Sequence, residues 1–148
     1  MSTRPHPAAR DSDAGSATLE LAVIAPVLLM LLSLVIVAGR VAAAAGAVDQ
    51  AAAAAARAAS LARDARSAQA EADRIARASL SDQGVTCSPL RSSVDTTGFS
   101  VAVGRPASVS VVVRCSVPLA DLAIAGMPGT RIVSASAASP LDRFRGRG

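Results

Sequence analysis

Side chains able to do chemistry are few and widely spread in this 148-residue sequence. Thiols occur at Cys87 and Cys115, the one imidazole is His6, and the later carboxylates Asp95, Asp121 and Asp142 stand far from one another. A metal site needs three or four converging ligands, and two thiols with one remote histidine do not supply them. Covalent catalysis needs a nucleophile beside a base, yet the chain beyond residue 40 has no histidine, and Asp95, Asp121 and Asp142 are isolated from one another in sequence. The expectation is therefore no enzyme, no cofactor and no metal. One carboxylate has a different setting. Glu20 immediately precedes nineteen uncharged residues, Leu21 to Gly39, reading LAVIAPVLLMLLSLVIVAG. An ionised acid at the centre of a membrane helix costs roughly 2.5–3.5 kcal/mol. Glu20 thus either complements the positive N-terminal end of a helix at headgroup level or is retained there for a functional reason.

The element that must position Glu20 is the apolar run. At helical rise it spans roughly 28 Å, close to the hydrocarbon thickness of a bilayer. A core helix of that length would show a polar face, and here only Ser33 is polar. The run therefore predicts a transmembrane helix over 16–40, with Pro26 a tolerated kink about a turn inside. Residues 1–14 are polar and turn-prone, a leader without helical or strand period. The small residues VAAAAGA at 41–47 would also suit a signal peptidase. Against that cut, the run is longer than a typical signal core and Arg40 lies between the two. Arg4 and Arg10 precede the run and Arg40 follows it, which leans toward a cytoplasmic N-terminus.

Residues 41–82 hold twenty alanines in 42 positions and no proline, so propensity predicts one long helix continuing out of the membrane. Leu61, Ala65, Ala68, Ala72, Ile75 and Ser79 form its narrow seam, with Asp73 to Arg77 a favourable i,i+4 pair on the wet face. The lower half should lie on the chain's own sheet, and the alanine-only upper half should pack with other helices. Gly84 ends the helix. Alternation then predicts half-buried strands at Phe99–Val103 and Val109–Val117, joined as an antiparallel hairpin through Gly104–Pro106. A loop or short helix over 118–129 follows, with Leu119, Leu122 and Ile124 as its apolar side, closed by Gly126, Pro128 and Gly129. The last predicted strand runs from Thr130 to Ala138. Cys87 shares parity with Val85, and Cys115 with the valines of its strand, so a Cys87–Cys115 disulfide is expected beside the core. Such a bridge contributes about 3–4 kcal/mol by chain entropy and requires an oxidising compartment, which places residues 41–148 outside the cytoplasm.

The expected class is α+β: an N-terminal transmembrane helix running into a long Ala-rich helix, then a small disulfide-stapled antiparallel sheet domain over 83–140 and a basic tail over 141–148. Arg143, Arg145 and Arg147 in that tail read as solvated, with contact to anionic lipid or a partner as the alternative. The +4 net charge comes entirely from arginines scattered along the chain. With no aromatic platform beside them, a nucleic-acid partner is not expected.

The segment Gly15-Ser16-Ala17-Thr18-Leu19-Glu20-Leu21, followed by apolar helix with Pro26 six residues after the glutamate, resembles the opening of TadE-like pseudopilins of tight-adherence (Flp, type IVb) pilus systems, of the actinobacterial type. The resemblance implies a pilin-like fold. It implies that a prepilin peptidase cuts the Gly15–Ser16 bond, and that Glu20 neutralises the new α-amine of a neighbouring subunit. It further implies other pilin or pseudopilin subunits, an inner-membrane assembly platform and the lipid bilayer as partners, in adhesion or secretion. The alternative is an uncleaved single-pass anchor displaying an interaction domain at the surface.

Overall fold

The computed structural model describes residues 14–120 and 129–144. Its elements are α1 (Ala14–Leu61), α2 (Ala65–Asp82), β1 (Leu90–Asp95), a 3-10 turn (Thr97–Ser100), β2 (Ser108–Pro118) and β3 (Thr130–Pro140). The α+β class holds: a long apolar N-terminal helix, a second helix and a three-stranded antiparallel sheet. Most of the expected leader (1–13), the loop residues 121–128 with Leu122, Ile124, Gly126 and Pro128, and the tail residues Arg145 and Arg147 lie outside the described residues. The chain divides into two compact units, one up to Ile36 and one from Val37, so the division falls inside α1.

In the second unit, α1 buries a stripe of small side chains at spacings of three and four. These are Ala44, Ala47, Val48, Ala51, Ala52, Ala55, Ala56 and Ala59. They join Ala68, Ala72, Ala76 and Leu80 of α2 and Val109, Val111, Val113, Cys115 and Val117 of β2 in one core. The expectation that the alanine-rich upper half would leave its own domain is therefore corrected. That half is buried in one core with α2 and β2.

The single helix expected over 41–82 is also two helices. Alanine propensity favours helix throughout, but Asp64 competes for backbone donors and restarts it. Its Oδ1 accepts from the backbone N–H groups of Arg66 and Ser67, each at 2.9 Å, and Ser67 Oγ donates to Oδ2 at 2.7 Å. These bonds hold the Asp64 carboxyl below its usual range, the Ser67 backbone N–H contributing most. The restart resets the seam: Leu61 and Ala65 are exposed, and the buried stripe is Ala68, Ala72, Ala76 and Leu80. Gly84 ends α2 as expected, at φ +68°, where only glycine is unstrained. Val85 N–H donates to the Leu80 carbonyl and Gly84 N–H to that of Ser81, both at 3.0 Å, closing a Schellman motif.

The sheet order is β1-β2-β3, with Val111 of β2 facing Val94 on one side and Ala137 on the other. Central β2 keeps the expected alternation, its odd positions buried from Val109 to Val117. The expected strand at Phe99–Val103 is corrected: residues 97–100 form the 3-10 turn and Val103 is exposed. Two local causes override the alternation. Asp95 Oδ1 accepts from the N–H and the hydroxyl of Thr97 at 3.0 and 2.8 Å, turning the chain. Gly98 then passes so close to the Ser108 carbonyl oxygen that a Cβ there would collide with it. The partner of β2 is instead Leu90–Asp95, and β3 runs two residues beyond its expected end.

The edge of β1 is occupied by α2. Gln69 Oε1 accepts from the Val94 N–H at 3.1 Å and Gln69 Nε2 donates to the Ser92 carbonyl at 3.3 Å, so one side-chain amide stands in for a neighbouring strand. Cys87 and Cys115 form the expected disulfide, with Cα atoms 5.1 Å apart across 28 residues of sequence.

Candidate functional site

The candidate site is the first stretch of α1. Gly15 and Ser16 lie in its first turn and Glu20 about a turn later; the side-chain surroundings of Gly15 and Ser16 fall outside the described residues. Glu20 is exposed, as are all sixteen residues from Leu21 to Ile36. Large apolar side chains point outward all round the helix, from Leu21 (69% exposed) through Met30 (76%) to Ile36 (47%). The most apolar 18-residue window of the span has a mean hydropathy of 3.0 and none of it is buried. A core helix would be covered by the rest of its domain; this one is long and apolar enough to cross a membrane and stands uncovered.

Backbone and side chains in the run suit hydrocarbon. Helix geometry satisfies the peptide groups internally, and the lone hydroxyl, Ser33 Oγ, donates to the Leu29 carbonyl at 2.7 Å. Pro26 sits inside the continuous helix, where it removes the donor that the Ala22 carbonyl would otherwise receive.

The other acids that sequence reasoning weighed are held by their own chain. Thr97 keeps the Asp95 carboxyl below its usual range, through its N–H first and its hydroxyl second. Asp142 accepts from the Phe144 N–H at 2.9 Å, and Asp121 lies outside the described residues. Asp73 does not bridge to Arg77 as its spacing suggested. Its carboxylate accepts from Gln69 Nε2 and from the Ser92 hydroxyl, while Glu71 pairs with Arg74 at 2.7 Å. Sequence reasoning missed Gln69, whose role depends on a strand 25 residues away. It also missed Asp64 as a helix start, although Asp64 three residues before Ser67 is a readable signal.

Among the described residues, one exposed apolar helix near the N-terminus could span a membrane, which is consistent with the class of membrane-anchored α+β proteins. Residues 15–57 match the family model described as TadE-like protein, and over that stretch the chain is similar to that family. The match begins on Gly15 and takes in Glu20, Pro26, the whole exposed run and most of the buried alanine stripe. No curated protein and no solved structure matches the chain. The likeness associates the chain with components of a tight-adherence pilus.

Proposed function

We infer that the protein is a minor pilin-like component of a tight-adherence pilus, working in adhesion or secretion. It is inserted with its N-terminus in the cytoplasm, cut after Gly15 by a prepilin peptidase, and packed through its N-terminal helix against other pilin or pseudopilin subunits on the membrane platform. The observation that carries this reading is the setting of Glu20. It is an exposed carboxylate at the head of an uncovered apolar helix, five residues beyond the glycine on which the family match opens. Cutting after Gly15 would place an α-amine on Ser16. A carboxylate and an ammonium in hydrocarbon cost far less together than apart, so a neighbouring copy's amine supplies what Glu20 needs. The disulfide supports an extracytoplasmic place for the second unit. The role is structural rather than catalytic, in keeping with Asp95 and Asp142 being tied to their own turns.

Intact-mass measurement and N-terminal sequencing of the native protein test the cut. The expected mature chain starts at Ser16; a start at Met1, or near Ala47, overturns it. For the packing step, Glu20→Ala should abolish co-purification with other pilus subunits while membrane insertion persists. Unchanged association would favour an uncleaved anchor.

A further inference from the structure

Arg91 of β1 and Arg114 of β2 are direct cross-strand partners, and both side chains are exposed on the sheet face turned away from the core. Like charges facing each other across an antiparallel pair destabilise a sheet. Here no carboxylate relieves the pair: Arg77, Arg91 and Arg114 form no ion pair among the described residues. Elsewhere the chain does pair an arginine, as Arg74 with Glu71 shows. Arg77 on α2 completes the group. The three arginines, with Asp73, Ser92 and Ser93, line one open hollow of about 360 Å³ wrapped around β1.

We propose that Arg77, Arg91 and Arg114 form a binding site for a phosphate group. Asp73 is the one acid in the hollow, and it already accepts from Gln69 and the Ser92 hydroxyl. Three guanidiniums against that single carboxylate leave two uncompensated positive charges. Each guanidinium presents its donors as a planar fork. A lone carboxylate ligand has two oxygens and fills one such fork. A phosphate group has more oxygens and more charge, and so can engage several guanidiniums at once. Ser93, on the same outer face as the arginines, adds a neutral donor. The repulsion between Arg91 and Arg114 is then relieved by the ligand rather than by the protein. The phosphate can be free in solution or part of a lipid headgroup, and the two sources share this chemistry.

The test uses the full chain in neutral detergent micelles, with arginine Nε–Hε resonances followed by NMR. One arm titrates inorganic pyrophosphate, the other a soluble short-chain phosphatidylglycerol. The expected result is movement of the Arg77, Arg91 and Arg114 resonances, weakened by salt, with affinity falling about tenfold or more in Arg91→Gln/Arg114→Gln. Arg105→Gln, outside the hollow, should bind as the unmodified chain does. Response to pyrophosphate alone assigns the site to free phosphate, and response to the lipid alone assigns it to headgroups; response to both supports the shared group. Without ligand, the double variant should melt no lower than the unmodified chain, because it loses a repulsion. The proposal is overturned if neither probe moves the three resonances, or if the double variant binds either probe undiminished.

Discussion

Two stretches of one helix invert the usual rule of burial. Between Leu21 and Ile36 the large apolar side chains face outward; between Ala44 and Ala59 the buried ones are almost all alanine. Twelve large hydrophobic residues stand exposed in the first stretch. At about 1.5–3 kcal/mol each in water, their exposure would cost on the order of 20 kcal/mol, more than the 5–15 kcal/mol by which a domain is usually stable. Water is therefore not the medium of that stretch, whereas the second unit solves its burial internally. Its alanines each gain little by burial, but their small size brings α1 close to its neighbours, so the larger valines of β2 and Leu80 of α2 can complete the core. Side-chain size marks where the helix is fit to cross a membrane and where it serves its own domain.

The largest expected effect separates the two stretches outright. Replacing Cys87 and Cys115 by alanine should remove about 3–4 kcal/mol from the second unit. Its thermal transition, followed by circular dichroism in detergent, should fall sharply while the protein stays in the membrane fraction. Loss of membrane association together with the fold would break the comparison. Next, Leu29→Arg should oppose insertion by roughly 2.5–3.5 kcal/mol, read as alkaline-carbonate release of the chain. Leu29→Ala should change neither insertion nor melting measurably. Ala52→Leu, small to large at a fully buried site, should cost about 1–3 kcal/mol of thermal stability and leave insertion untouched. The smallest effect is acid sensitivity confined to the second unit. Asp64 and Asp95 have carboxyls below the ordinary value near 3.8 in the folded chain. Their contribution is thus complete above that unfolded value and is lost as pH falls through the lower, folded one. Stability measured from pH 7 downward should be flat for these groups until the acid range, and Asp64→Asn/Asp95→Asn should flatten that late decline.

Features set by a run or a period were readable in sequence. The anchor needs only nineteen uncharged residues, and β2 needs only alternation, so both emerged before any contact was known. The cysteine pairing followed from parity on that same strand. What failed were the places where a single side chain outvotes a pattern. Alanine propensity cannot show that Asp64 diverts two backbone donors, so one helix was expected where there are two. Phe99, Val101 and Val103 alternate as a strand would, yet Thr97 and the crowded Gly98 bend them into a turn. The true partner of β2 was hidden because Leu90–Asp95 alternates mostly through serine and charge. Glu20 stood out through its neighbours in sequence, and the structure adds that it is exposed at the head of the apolar run.

The amide of Gln69 lying along β1 limits what the sheet can do next. Strand addition needs a row of free donors and acceptors, and on the β1 side the Val94 N–H and the Ser92 carbonyl are already taken by Gln69. Among the described residues β3 has no strand beyond it. Recruitment through backbone pairing is thereby one-sided: two copies meeting by their β3 strands would exhaust each other's capacity, and no endless ribbon could grow from the pair.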